Sequence, residues 1–240
     1  MRAETVRLFQ TLPHACGYFA DRTAQNLVID PDAPQIGPLY EVALARGYRR
    51  AGGQVYRPNC VGCLACIACR VPVRAFLPDR AMRRCLKRNA DLDIRVETAG
   101  FSDERFALYQ AYLKARHLEG GMDDSPAGDF SRFLFTSWSR TSFIEFRAGD
   151  RLIAVAVTDV CRDALSAVYT FFDPGEMARS PGTFAILSQI ELARTLSLDH
   201  VYLGFWINGH PKMDYKSRFN PLEVLVNGGW RAFDAELPSG

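Results

Sequence analysis

Four cysteines fall at three-residue intervals, at Cys60, Cys63, Cys66 and Cys69. A Cys-x-x-Cys loop can turn two thiolates onto one Zn²⁺, about 2.3 Å from each sulfur. Thiols in this number also suit an iron–sulfur cluster, and Cys16 can replace one ligand. A zinc ribbon, however, separates its two pairs by a long loop. Free or redox-active thiols therefore stand beside metal binding as a reading of Cys16, Cys60, Cys63 and Cys66.

The chain has seven cysteines, an odd count, and its first ten residues hold no apolar h-region. A disulfide scaffold is not expected, and the chain reads as cytoplasmic. Leu152 to Val157, the longest purely apolar run, is too short for a bilayer span. Hydrophobic residues make up 48% of 240 positions, enough for a core and against global disorder.

A formal net charge of +2 announces no partner. Its distribution is more informative. Arg70, Arg74, Arg80, Arg83, Arg84, Lys87 and Arg88 stand against one acid, Asp79. Arg80, Arg83, Arg84, Lys87 and Arg88 repeat at helical spacing and share a face. Such a face can follow an RNA backbone, or it can simply be solvated.

The C-terminal half carries Tyr169-Thr-Phe-Phe-Asp-Pro174, then Gly182 at the head of an amphipathic stretch. Farther on come Val201-Tyr-Leu-Gly-Phe-Trp-Ile207 and Pro211-Lys-Met-Asp-Tyr-Lys216. Lys212, Tyr215, Lys216 and Arg218 make a cationic and aromatic cluster that suits a phosphate or carboxylate. Arg179-x-x-Gly182-x-Phe184 is close to the Arg/Gln-x-x-Gly-x-Gly/Ala pattern of acetyl-CoA N-acetyltransferases, where helix-start amides hold a pyrophosphate. Phe184 is bulky where that pattern wants a small residue, so a different acyl carrier is the better expectation. His14, His117, His200 and His210 lack ligand or triad spacing and read as structural or surface residues. Trp138, Trp206 and Trp230 read as packing residues, with Trp206 near the proposed cleft.

These residues need positioning elements. Leu39–Arg46 reads as a helix stopped by Gly47, followed by a hairpin around Gly52-Gly53. Val71-Pro-Val73 reads as a sheet edge, because proline donates no ladder hydrogen bond. Helices are expected over Arg80–Ala90, Arg105–Leu118, from Phe130, and over Phe184–Leu196. Gly120 to Gly128 reads as an exposed loop. Strands are expected over Leu92–Val96, Phe143–Arg147, Leu152–Val160, Ala164–Phe172 and Val201–Ile207. The fold class is α+β and GNAT-like (acyl-CoA N-acyltransferase-like), with mixed sheets flanked by helices. A Cys-containing N-terminal part, residues 1–95, precedes an acyltransferase core over residues 96–240.

Ordered motifs run through nearly the whole chain. They include Pro13-His-Ala-Cys16-Gly-Tyr18, Gly47-Tyr-Arg-Arg50, Tyr56-Arg-Pro58-x-Cys60-x-x-Cys63-x-x-Cys66 and Arg70-Val-Pro-Val73. Arg116-His117, Ala154-Val-Ala-Val-Thr-Asp159, Tyr169–Pro174, Tyr202-Leu-Gly-Phe205 and Pro211-Lys-Met-x-Tyr215-Lys216 continue the series. With these motifs the chain resembles the bacterial aspartate/glutamate leucyltransferases, relatives of the eukaryotic arginyltransferases of the N-degron pathway. It departs from them at Ser180-Pro181-Gly182, where the family usually has Ser-Leu-Gly. Proline suits a first helical turn. Phe19 stands where the arginyltransferase relatives have a second cysteine, and Cys69 is extra to the family pattern.

The resemblance implies a reaction in which an aminoacyl-tRNA ester gives its amino acid to the N-terminal amine of a protein beginning with Asp or Glu. Partners are then aminoacyl-tRNA and acidic protein N-termini, with no membrane. The ester is already activated, so no cofactor is required. Positioning the amine contributes most, with effective molarities of roughly 10⁵ M or more. Asp173, ending a strand, is the first candidate base, and Tyr169 and Tyr202 can orient amine or carbonyl. Arg74, Lys212, Lys216 and Arg218 are candidates to read the acceptor carboxylate. Phe171, Phe172, Phe205 and Trp206 are candidates for a leucyl pocket. Arg80, Arg83, Arg84, Lys87 and Arg88 are candidates for tRNA. Leucine rather than arginine as donor rests on the resemblance alone, so arginyl transfer stays an alternative. An acetyl-CoA N-acetyltransferase and a metal-stabilised RNA-binding protein without catalysis are the rivals of other kinds.

Overall fold

The computed structural model describes residues 5–116 and 127–234. His117 and the expected loop over 120–126 lie outside them, while Ala127 and Gly128 already open a helix. The chain forms two compact units, Met1–Pro72 with Tyr202–Gly240, and Val73–Val201. This division differs from the expected break at residue 95. A boundary sought as a composition shift along the chain misses a C-terminal segment that folds with the N-terminal one.

In the first unit the chain runs through β1 (Leu8–Gln10), β2 (His14–Ala15), β3 (Thr23–Ala24), β4 (Asn26–Ile29) and α1 (Ile36–Leu44). It continues through β5 (Arg49–Ala51), β6 (Gln54–Pro58) and β7 (Ile67–Pro72). Strands β1-β4-β6-β5 form an antiparallel sheet, and β2 pairs with β3. Gly47, at φ 80°, ends the α1 segment, as its conformational freedom predicts.

The second unit begins with α2 (Arg80–Arg88), β8 (Asp93–Thr98), α3 (Asp103–Arg116) and α4 (Ala127–Leu134). Next come β9 (Thr141–Ala148), β10 (Arg151–Val160), β11 (Ala164–Phe172), a 3₁₀ turn at Pro174–Arg179, and α5 (Pro181–Thr195). Strands β8 to β11 make an antiparallel meander. Leu152 to Asp159 of β10 are all buried, which is why that strand reads as a continuous apolar run rather than an alternating one. Its buried Thr158 hydroxyl accepts from Gln189 Nε2 of α5 at 2.7 Å, a bond that ties strand to helix. Edge strand β8 is exposed throughout and carries Asp93, Arg95 and Glu97, charges that discourage further strand addition.

Helix α2 starts at Asp79, whose carboxylate accepts from Met82 N at 2.7 Å, a cap contributing about 1 kcal/mol. Met82 and Cys85 turn inward, leaving the basic face outside. Helix α5 begins three residues before its expected start, because Ser180 takes a left-handed conformation (φ 56°) and Pro181 occupies the first turn.

The chain returns to the first unit along β12 (His200–Trp206), then adds β13 (Glu223–Val226) and β14 (Gly229–Ala232). There the strand order is β14-β13-β7-β12. Strand β7 is therefore interior, not an edge. Pro72 is its last residue, where the missing N–H disturbs no ladder inside the strand.

Gly204 in β12 has φ 78°, and a Cβ there would stand 2.6 Å from Arg49 Nη1. Gly204→Ala is expected to lose about 1–3 kcal/mol of stability, read as a lower chemical-denaturation midpoint. An unchanged midpoint would mean that the Arg49 side chain can move away freely.

Candidate functional site

In the first unit β12 and the segment after it carry Tyr202, Trp206, Lys212, Tyr215, Lys216 and Arg218. Lys216 is 4% exposed. Its Nζ donates to the Phe205 carbonyl and approaches Met213 Sδ at 3.6 Å. Burial pushes the Lys216 pKa down to about 8, opposed by the Cys69 thiol and reinforced by the Arg49 charge. Lys212, Tyr215 and Arg218 instead face outward. The expected four-residue cluster is thus split, because the 3₁₀ turn at Asp214–Arg218 sends alternate side chains in and out.

Trp206 is in the core. Its indole Nε1 donates to Asp214 Oδ1 at 3.1 Å and its ring meets Phe233 edge-on. The Tyr202 hydroxyl accepts from Arg70 Nη1 at 3.2 Å, while Arg70 Nε pairs with Glu223 at 2.7 Å. Arg70 also lies 4.2 Å from the Trp230 ring centre. It is a scaffold residue and is not available to RNA. His210 bridges segments: Lys212 N donates to Nδ1, which leaves Nε2–H to donate to the Tyr18 carbonyl, each at 3.2 Å.

A cavity of about 670 Å³ opens in this unit. Leu64, Ile67, Phe205 and Leu225 supply apolar wall, and Arg46 and Arg57 bring positive charge. No carboxylate lines it among the described residues. The Arg57 guanidinium sits 5.3 Å from the Tyr48 ring centre. Cys60, Cys63 and Cys66 also reach this cavity. Cys63 accepts from Arg22 Nη1 at 3.2 Å. A backbone hydrogen bond at Ala65 holds its pKa below the usual thiol range, and Arg22 acts in the same direction. Burial pushes the Cys66 thiol up to about 12. Cys60 Sγ is spent on the Gln25 backbone. Among the described residues no three His, Cys, Asp or Glu side chains come together as a metal-binding group. Cys66 lies within electrostatic reach of Cys16, Cys60 and Cys63, so the four thiols share one neighbourhood.

In the second unit Asp173 has both oxygens engaged. Oδ1 caps the 3₁₀ turn through Gly175 N at 2.8 Å, and Oδ2 pairs with Arg151 at 2.7 Å. Tyr169 stands among the rings of Tyr109, Tyr112 and Phe133, partly exposed. Gly182 faces open space at the start of α5. Arg179, which a pyrophosphate would want, is held by Asp91 at 2.8 Å and Glu176 at 2.8 Å. Phe184 does not obstruct that entrance. It packs inward on Phe146, with ring centres 5.1 Å apart. Of the expected leucyl-pocket residues, Phe171 and Phe172 are core residues of the second unit and Trp206 of the first, while the buried Phe205 also reaches the cavity.

Arg74 is exposed, with a loose 3.8 Å contact to Asp199. On α2, Arg83 donates to the Pro78 carbonyl and Arg88 to that of Ala178. Arg80, Arg84 and Lys87 are exposed, and their side chains make no hydrogen bond or ion pair among the described residues. Arg46, Arg49 and Arg57 were missed by sequence reading. The Tyr56-Arg57-Pro58 and Gly47-Tyr-Arg49-Arg50 runs were the available signal.

The family model described as arginine-tRNA-protein transferase, N terminus, matches residues 14–84, and its C-terminus counterpart matches residues 104–226. The chain belongs to this family of aminoacyl transferases. Its relatives named aspartate/glutamate leucyltransferase include one from Stenotrophomonas maltophilia (strain K279a), 54% identical over 98% of this chain and 96% of that protein. One from Xanthomonas campestris pv. campestris (strain B100) is 53% identical over 97% and 94%. One from Xylella fastidiosa (strain 9a5c) is 46% identical over 98% and 95%. Among solved structures, the C-terminal domain of a putative lysylphosphatidylglycerol synthetase from Agrobacterium fabrum gives a TM-score of 0.46. It is 15% identical and covers 60% of this chain and 47% of that one, a likeness too low to carry an argument.

Lys216 generates a pH prediction. The unfolded chain keeps this proton to about 10.5 and the folded one loses it near 8. Between those values the unfolded state binds more protons, so stability should rise with pH. The rise is expected at roughly 1 kcal/mol per pH unit from pH 8 to 9. Above pH 9 the buried thiols act oppositely, since Cys69 is pushed up to about 11 and Cys66 to about 12. Denaturant titrations of the wild type and Lys216→Met should differ by this rise. Parallel pH profiles would mean that Lys216 stays charged.

Proposed function

We propose that the protein transfers leucine from Leu-tRNA to the N-terminal α-amine of proteins beginning with Asp or Glu, marking them for degradation. Identity of 46–54% across nearly the whole chain with relatives named aspartate/glutamate leucyltransferase carries this reading. It sets the protein in the cytoplasm, where charged tRNA is. Among the described residues no helix is long and apolar enough to cross a membrane.

The chemistry asks little of the protein beyond placement. The donor ester is activated, and an α-amine with a pKa of about 7.7–8 is partly neutral at pH 7. No cofactor and no covalent intermediate enter this mechanism. The antiparallel strands β9–β11 followed by α5 support a GNAT-like core, with the open start of α5 at Gly182 facing the donor. Asp173 then serves as a positioning residue: its capping bond and its Arg151 pair fix the turn that leads into α5. Tyr169 is the partly exposed ring of β11 and can meet substrate, whereas Tyr202 holds Arg70.

The exposed side of α2 takes the tRNA backbone through Arg80, Arg84 and Lys87, with Arg83 and Arg88 bracing the helix. Replacing Arg80, Arg84 and Lys87 by Ala should weaken binding of all tRNAs alike. It should also flatten the log-affinity against log-salt slope by about 1 for each lost phosphate contact. An unchanged slope would move the tRNA elsewhere.

The deciding assay supplies tRNA charged with radiolabelled Leu or Arg, and peptides beginning with Asp, Glu, Lys or Ala. Label is expected from Leu-tRNA, on the Asp and Glu peptides only. Label from Arg-tRNA would keep the reaction and change the donor. Bound tRNA without transfer to any peptide would favour a binding protein.

A further inference from the structure

We propose that the cavity of the first unit is the acceptor subsite, in which Arg57 and Arg46 read the carboxylate of the acceptor's first residue. The inference rests on the leucyl-transfer reading. Its starting point is the charge balance of the cavity. Two guanidiniums and no carboxylate line it among the described residues, and a third guanidinium, on Arg22, lies against Cys63 of its wall. A cavity of about 670 Å³ is of a size that accepts a ligand. A carboxylate entering it meets two guanidiniums and no competing acid among the described lining residues.

The two arginines differ in preparation. Stacking beside the Tyr48 ring restrains the Arg57 guanidinium and leaves its N–H edges for bidentate bonding. Arg46 is exposed at the cavity, with no side-chain hydrogen bond or ion pair among the described residues. Among the described residues neither arginine has an ion pair that a ligand would have to break. Lys216 is a poorer reader, because it is 4% exposed and already donates to the Phe205 carbonyl. Arg74 is fully outside, and Arg70 is bound to Glu223.

The cavity also accounts for turnover. A product N-terminus begins with Leu and brings no carboxylate, so it forgoes the charge-assisted bonds to the arginines. It departs, and a second leucine is not added. N-terminal Lys or Arg is rejected by like charge. The apolar wall of Leu64, Ile67 and Leu225 then carries the aliphatic part of Glu and the acceptor residue that follows.

The test measures kinetics and tRNA-free binding for the full chain and for Arg57→Ala, Arg57→Lys, Arg57→Glu and Arg46→Ala. In the transfer assay, Arg57→Ala should raise KM for Asp and Glu peptides by about tenfold or more. KM for Leu-tRNA should stay put, and Arg57→Lys should recover part of the loss. Arg57→Glu should erase the penalty against Lys-initiated peptides. Fluorescence anisotropy without tRNA should show the wild type favouring an Asp peptide over its Asn counterpart, a preference lost in Arg57→Ala. The assignment is overturned if both alanine variants keep wild-type peptide KM, or if KM for Leu-tRNA rises instead, which would give the cavity to the donor end. It is also overturned if the Asp and Asn peptides bind the wild type equally. Leucyl transfer by the wild type is read separately: its absence would sink the leucyl reading, while the Asp-over-Asn comparison judges the cavity by itself.

Discussion

The last residues of β12 are where the first unit must solve its hardest physical problem, holding positive charge inside an apolar core. Gly204 adopts a left-handed conformation and leaves space that the Arg49 guanidinium fills. The next residue gives its carbonyl to the Lys216 ammonium and its ring to the cavity. Trp206 then ties the strand to Asp214. Three consecutive residues therefore anchor β5, the cavity wall and the 210–218 segment. A buried lysine bound to a carbonyl dipole is costly, and the depressed pKa expresses that cost. The Phe205 carbonyl and the Met213 sulfur are the polar partners that this ammonium has in the core.

The second unit uses its arginines differently. Arg105 and Arg147 pair with the buried Glu145, Arg151 with Asp173, and Arg179 with Asp91. The pairs to Glu145 are buried, where a pair adds little net stability but removing one partner leaves an expensive unpaired charge, while the pairs of Arg151 and Arg179 are partly exposed. They fix β9, the turn after β11 and the start of α5. Once these scaffold cations are set aside, the open face of α2 and the first unit's cavity still present grouped guanidiniums, and Arg74 and Arg218 are exposed singly. A net charge of +2 conceals this partition.

Sequence reading located the strands that bury themselves. Ala164–Phe172 was legible to the residue and Leu152–Val160 within one, because β-branched and aromatic runs between turn residues leave few alternatives. The basic face of α2 was legible for the same reason of periodicity. Pro72 misled, since proline at a strand's end and proline at a sheet's edge look alike in sequence. The unit boundary was hidden because β12 to β14 return to the N-terminal segment, a long-range choice without local signature. Phe184 looked like an obstacle only because its rotation about α5 could not be read from one position.

The candidate site was less legible than the fold for one physical reason. Whether a cation is structural or free to bind depends on the acids around it in space. Lys216, Arg70 and Arg57 all sit in motif-like runs, yet one is buried on a carbonyl, one is paired with Glu223, and one faces an acid-free cavity. Chemistry that needs no special base makes this sorting matter more. With an activated ester and an amine that is partly neutral near pH 7, the protein's main contribution is to decide which amine arrives. Acceptor choice then falls to electrostatics at a cavity rather than to a reactive side chain. A binding-energy difference between a carboxylate and its amide is enough to set it.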